Sequence, residues 1–119
     1  MSGLLGSWGE AKSAEYLRKK GYKIEAMNYN SRFGEIDIIA RKKKILAFVE
    51  VKLRKDDKFA KAAEFVSKSK QEKIILTAQA YLQEKNDNKV QPRFDVIEIY
   101  APYGIHDEFT LNHIENAYE

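Results

Sequence analysis

A small α/β protein with a mixed β-sheet flanked by helices is the fold class this sequence predicts, its elements running in the order αβββαββ. Three observations predict it. Two segments open on a Ser-x-x-Glu box, Ser7-Trp8-Gly9-Glu10 and Ser69-Lys70-Gln71-Glu72, and continue with apolar residues at helical spacing. Residues 34–52, GEIDIIARKKKILAFVEVK, read as two β-branched runs joined by a basic turn. Residues 93–100, RFDVIEIY, alternate well enough for a further strand.

The chain of 119 residues is expected to form a single domain, residues 1–119, with a core that needs no disulfide. Cysteine is absent, which excludes a disulfide framework, a Cys-based zinc site and a thiol nucleophile. The apolar runs are too short to cross a bilayer and the N-terminus has no signal-peptide pattern. A cytoplasmic protein with no membrane partner is therefore the default expectation. The net charge is only +3, but it is unevenly spread. Residues 41–73 hold 12 Lys and Arg against 5 Asp and Glu, a net +7, while residues 74–119 hold 3 against 8, a net −5. Such a basic segment around the hairpin would attract an anionic ligand.

In chain order, the first box predicts a helix from Trp8 to Lys20 with Trp8, Ala11, Ala14 and Leu17 toward the core and Gly21 ending it. Glu10 either caps this helix or projects its carboxylate from the first turn into a site. Tyr22 to Asn30 reads as an edge or first strand, and the hairpin follows. Leu53 to Lys58 is charged enough to be a loop, and Ala60 to Val66 suits a short helix. The second box opens a helix whose buried face is Ile74, Ile75, Ala78, Tyr81 and Leu82, broken at Asn86-Asp87-Asn88-Lys89. Lys70 and Lys73 fall in its first turn, where amide donors and ammonium groups together suit a phosphate. The strand at 93–100 puts Phe94 and Val96 on one face and Asp95 on the other, and Phe109 to Ile114 makes a last strand. His106 and His113 are isolated and read as surface or packing residues.

The chemistry sits on the hairpin. Strand alternation gives Glu35 and Asp37 one face and Glu50 and Lys52 one face. A reversal at Lys42-Lys43 or Lys43-Lys44 makes these the same face, with Asp37 opposite Phe48 or Glu50. Carboxylates among Ile and Val need a cation, a lysine or water to offset burial and mutual repulsion. A divalent ion held by Asp37 and Glu50 with Lys52 beside it is the economical solution. Oxygen-only donors point to Mg²⁺ or Mn²⁺ rather than zinc. In phosphodiester hydrolysis Lys52 would either stabilise charge on phosphorus or deprotonate the water, and the electrostatic role is favoured because a base needs a depressed pKa.

Asp37 followed by Glu50-x-Lys52 on the next strand resembles the PD-(D/E)xK nuclease superfamily, which includes archaeal Holliday-junction resolvases and type II restriction enzymes. The resemblance is closest to the YraN-type family of bacterial proteins related to those resolvases. It is carried by Gly9-Glu10, Leu17, Gly21-Tyr22, Asn30, Gly34-Glu35-Ile36-Asp37, Phe48-Val49-Glu50-Val51-Lys52, Arg54, Lys70, Arg93-Phe94-Asp95-Val96 and Asn116-Ala117, in order and with their spacing. The superfamily's proline is missing, since Ile36 precedes Asp37.

The resemblance implies a restriction-endonuclease-like fold, Glu10, Asp37 and Glu50 as metal ligands and Lys52 as catalytic lysine. Glu35, Arg54, Lys70 and Lys73 are expected to support the site or bind phosphate, and Asp95 to pair with Arg93 or Arg54. The expected activity is Mg²⁺- or Mn²⁺-dependent endonuclease cleavage of DNA, branched or damaged DNA included, by a homodimer. The alternatives are a nucleic-acid-binding module without turnover, and a structural hairpin in which Lys52 bridges Glu50 and Asp37.

Overall fold

The structure is a computed structural model that describes residues 4–54, 66–86 and 89–118. Helix α1 (Leu4–Lys19) precedes three strands, β1 (Lys23–Ser31), β2 (Gly34–Lys42) and β3 (Ile45–Arg54). Helix α2 (Lys68–Lys85) then crosses to β4 (Gln91–Tyr100), and β5 (Thr110–Tyr118) ends the chain. The five strands lie in the order β1-β2-β3-β4-β5, with β3 and β4 parallel and the other neighbours antiparallel. This is the expected αβββαββ order, and the mixed sheet with a helix on each face is compatible with a small restriction-endonuclease-like fold. Among the described residues, no helix is long and apolar enough to cross a membrane.

Alternation along the central strands builds two cores. Ile38, Ala40, Ala47, Val49, Val51, Ile97 and Ile99 face α1, where Ala14 and Leu17 close over them. Ile39, Leu46, Phe48 and Val96 face α2, against Ile74, Ala78 and Tyr81. A ladder of rings crosses the α2 side: Phe48 stacks on Phe94 at 5.7 Å, and Phe94 on Tyr118 at 5.5 Å. Central strands covered on both faces are largely apolar, as β3 is outside Glu50, Lys52 and Arg54, while β4 buries two acids, Asp95 and Glu98, among its apolar residues.

The ends of the elements depart from expectation in instructive ways. Helix α1 begins at Leu4, so Ser7 is inside it and Glu10 sits in its second turn rather than reaching back to cap it. Its buried stripe is Gly6, Gly9, Glu10, Ser13, Ala14 and Leu17, and Ala11 is exposed. Gly21 ends the helix as expected: at φ +97° it lets its own amide donate to Arg18 and that of Tyr22 to Leu17. The N-cap of α2 is Ser67, not Ser69, because the Ser67 hydroxyl accepts the Lys70 amide at 3.1 Å. Lys70 therefore stays in the first turn, whereas Lys73 belongs to the second. Thr77 joins the buried face, while Ile75 and Leu82 are only half-buried.

Strand β3 continues through Leu53 and Arg54, which are not loop residues. The expected loop at 55–58 and the short helix at 60–65 lie outside the described residues.

Gly9 permits the close seating of α1. A Cβ there would stand 3.2 Å from Leu53 Cδ2 and 3.7 Å from Val51 Cγ1. Gly9→Val is expected to lift the helix and to destabilise the protein by about 1–3 kcal/mol, as overpacking does. A urea titration checks this, and an unchanged midpoint would mean that α1 is not seated through Gly9.

Candidate active site

The hairpin turns at Lys43-Lys44, since Lys42 pairs with Ile45 and Lys43 takes the left-handed conformation at φ 57°. Regular pairing runs from there to Ile38 opposite Val49. One step further in the same register, Asp37 stands across from Glu50, the second of the two expected arrangements. There the two strands part. The Val51 amide, instead of donating to a β2 carbonyl, donates to Asp37 Oδ2 at 2.8 Å. Asp37 thus fills the fork with its carboxylate, and Ile36 beyond it packs into the α2 core although Ile38 belongs to the α1 core.

Glu50 lies in the same fork on the α2 side, 5% exposed. Its Oε1 accepts a hydrogen bond from Lys70 Nζ at 2.7 Å and lies 3.6 Å from Lys52 Nζ. Strand β3 supplies Glu50 and Lys52 two residues apart on one face, and the first turn of α2 supplies Lys70. The two lysine side chains also lie close enough to perturb each other. Burial, reinforced by the charge of Asp37, pushes the Glu50 carboxyl up, and its lysines only partly restrain it. Burial followed by the charge of Lys70 pulls the Lys52 amine down. Lys70 moves the other way: burial works against its charge, but the hydrogen bond to Glu50 and that carboxylate's charge outweigh it.

Glu10 arrives from the α1 side, 3% exposed. Burial raises its carboxyl, a hydrogen bond from the Asn28 side chain lowers it, and the charge of Asp37 raises it again. Asn28 adopts φ 51°, a conformation that Asn tolerates better than most residues. The structure therefore brings Glu10, Asp37, Glu50, Lys52 and Lys70 into one electrostatic neighbourhood, fed by both faces of the sheet. Among the described residues, no set of three or more His, Asp or Glu side chains is gathered closely enough to hold an ion. Asp37 and Glu50 on adjoining strands remain the pair best disposed to do so. They fit a hard cation such as Mg²⁺, which is commonly held through one or two carboxylates with waters completing its shell.

The other expected residues divide. Glu35 is exposed and lines a cleft of about 300 Å³ with Lys70, Lys73, Ser67 and Ser69. Arg54 points instead toward Glu98, 4.0 Å from its Oε2. Asp95 pairs with Arg93, through bonds of 2.9 and 2.8 Å, and not with Arg54. His113 is a packing residue whose Nε2 lies 2.8 Å from Asp95 Oδ2.

Among the described residues, the lysines of the basic segment fall in two places. Lys42, Lys43 and Lys44 are at the turn, six residues of strand or roughly 20 Å from Glu50. Lys52 and Lys70 meet at Glu50, and Lys73 lines the cleft beside Lys70. Two site neighbours were not expected. Asn28 bonds Glu10, and Glu98 is fully buried, in register with Lys52 and bonded by Asn112 at 2.9 Å. An acidic residue sharing a strand face with Phe94 and Val96 was the available signal for Glu98.

The chain is similar over nearly its whole length to a set of curated bacterial proteins. A UPF0102 protein of Caldanaerobacter subterraneus subsp. tengcongensis is 46% identical over 115 residues, covering 96% of this chain and 93% of the relative. Others come from Syntrophotalea carbinolica, at 42% with 97% and 91% covered, and Clostridioides difficile, at 44% with 95% of each covered. The family model for Uncharacterised protein family UPF0102 matches residues 9–99, from Gly9 in α1 to Ile99 in β4, so every residue of the fork lies within it. The chain belongs to this family, UPF0102, the YraN-type group that its ordered motifs resemble.

Proposed function

We propose that this protein is a Mg²⁺- or Mn²⁺-dependent endonuclease that hydrolyses phosphodiester bonds in DNA, branched DNA included, and that it works as a homodimer with one fork per strand cut. The single observation that carries the reading is the fork itself. Asp37 and Glu50 are buried on adjoining strands where backbone pairing stops, with two lysines converging on one Glu50 oxygen. A purely structural hairpin has no use for such a repulsive pair, since apolar residues of the same volume are commonly neutral or stabilising there.

Asp37 and Glu50 would hold the ion, with Glu10 adding negative charge from the α1 side. The chemistry a bound ion supplies is Lewis-acid polarisation of the phosphoryl group and neutralisation of charge at the leaving oxygen. Asp37 is fixed for this by the Val51 amide. Lys52 is the proton acceptor: its amine is destabilised as a cation by burial and by Lys70, which favours a base over the purely electrostatic role. The proton of the attacking water goes to Lys52 Nζ as the water oxygen bonds to phosphorus and the bond to the leaving oxygen breaks. Lys73, beside Lys70 in the cleft, is placed to meet a phosphate backbone approaching the fork.

The test is a panel of labelled junction, flap, single-stranded and duplex DNA, incubated with Mg²⁺ or Mn²⁺. Cleavage is expected from the wild type and is expected to disappear in Asp37→Ala and Glu50→Ala proteins that keep wild-type circular dichroism. Equal cleavage by an Asp37→Ala/Glu50→Ala/Lys52→Ala triple variant would sink the proposal. DNA binding without cleavage in either metal would favour the non-catalytic module.

A further inference from the structure

We infer that Lys70 is the resident counter-ion of the fork, a side chain that occupies the cation position against Glu50 and is displaced when a divalent ion enters. The inference rests on the reading that Asp37 and Glu50 hold such an ion. Glu50 Oε1 has two lysine neighbours, Lys70 Nζ at 2.7 Å and Lys52 Nζ at 3.6 Å. A divalent ion binding the same carboxylate meets the Lys70 ammonium on the oxygen it needs, and that ammonium has to leave.

The geometry selects Lys70. Lys52 is rooted in the middle of the sheet, its backbone in the β3–β4 ladder beside Glu98, and its side chain is 29% exposed. The Lys70 side chain is 41% exposed and springs from the first turn of a helix at the margin of the site. The cleft bordered by Gly34, Glu35 and Lys73 opens directly beside it and gives the displaced ammonium a solvated place with a carboxylate nearby. The helix itself does not ask for a cation there, because its N-terminal dipole repels one. Glu50 is what holds Lys70 in, so a stronger cation at Glu50 releases it.

Ion and ammonium then compete for one carboxylate, and competition is reciprocal. Removing the ammonium raises the affinity for the ion and leaves the ion-free protein less stable. Isothermal titration of the full chain with Mn²⁺ tests this on the wild type and on Lys70→Met, Lys70→Gln, Lys70→Arg, Asp37→Asn and Glu50→Gln. Mn²⁺ affinity is expected to rise about tenfold in Lys70→Met and Lys70→Gln and to stay near wild type in Lys70→Arg. In parallel melts, Lys70→Met and Lys70→Gln are expected to have a lower Tm than wild type in EDTA and a larger upward shift with Mn²⁺. Two neutral variants guard against one failing to fold. Unchanged or weaker Mn²⁺ affinity in the neutral variants, with Asp37→Asn and Glu50→Gln abolishing uptake, overturns the displacement but leaves the metal reading standing. Uptake that persists in Asp37→Asn and Glu50→Gln, or is absent from every protein including Lys70→Met, overturns both.

Discussion

Asp95→Ala is expected to destabilise the folded protein by about 3–5 kcal/mol, the usual effect of removing one partner from a buried charged network. Asp95 is fully buried and every direction around its carboxylate is used. Arg93 donates to both oxygens, the Asn116 amide donates to Oδ1 at 3.0 Å, and His113 Nε2 meets Oδ2. A carboxylate only accepts, so the His113 proton is on Nε2, and Nδ1 is then free to accept from the Tyr16 hydroxyl at 3.1 Å. One residue of β4 thereby ties α1, β4 and β5 together, at the point where the β4–β5 register shifts between Phe94 and Val96. Truncation would leave the buried imidazole without its anion and the Arg93 guanidinium with only the exposed Glu115, in a protein whose whole stability is about 5–15 kcal/mol.

The pH dependence has a definite sign. Burial pushes the Asp95 carboxyl up, but hydrogen bonds from His113, Arg93 and the Asn116 amide outweigh it and hold the group below the ordinary range. Its contribution is therefore complete above the unfolded value of about 3.9 and is lost as pH falls through the lower folded value. Urea midpoints of wild type and Asp95→Asn should lie furthest apart at neutral pH and converge in acid. A neutral-pH difference under about 1 kcal/mol would mean that the network is dispensable.

The parts of this fold that were legible in the sequence are those fixed by a period. Alternation placed Glu50 and Lys52 on one face. Turn parity then restricted Asp37 to two partners, of which the two-residue loop at Lys43-Lys44 selects Glu50. What was not legible depends on tertiary contact. Two serines can cap α2, and the Ser-x-x-Glu box favoured Ser69. Ser67 wins because its hydroxyl meets the Lys70 amide while the Gln71 side chain secures the Val66 carbonyl. Ala11 fits a core-facing stripe by hydropathy, yet the helix turns Glu10 and Ser13 inward instead. Close packing at Gly9 and the Asn28 hydrogen bond at the fork decide the rotation.

Lys70 was visible as a lysine at a helix start and as one of the ordered motif residues, but not as a partner of Glu50. Its engagement with Glu50 joins α2 to β3 across 20 residues of chain, 11 of which lie outside the described structure. No local pattern encodes a pairing of that kind. Glu98 was overlooked for the opposite reason: the alternation marked its face correctly, but a single acid in an apolar strand was not followed to its partners.

Substituting Lys52 is expected to slow cleavage steeply while leaving metal uptake in place. Lys52→Ala should slow turnover at saturating DNA by about 10²–10⁴-fold, the range for losing a positioned general base. Folding should survive, because Glu50 keeps its closer lysine, Lys70 at 2.7 Å. The informative companion is Lys52→Arg. Guanidinium preserves the positive charge but does not give up its proton in a protein. A base at this position fails in both variants, whereas a charge that only steadies the phosphorane-like transition state is largely restored by arginine. Single-turnover rates with Mg²⁺, compared across wild type, Lys52→Ala and Lys52→Arg at equal DNA occupancy, separate the two roles. Strong cleavage by Lys52→Arg would return Lys52 to the electrostatic role and leave the attacking water to be deprotonated elsewhere. Loss in both variants, with Mn²⁺ uptake intact, would fit the division the fork suggests. Of the two lysines beside one carboxylate oxygen, the strand lysine has its cation disfavoured by burial and by its neighbour, and the helix lysine has its cation favoured by Glu50.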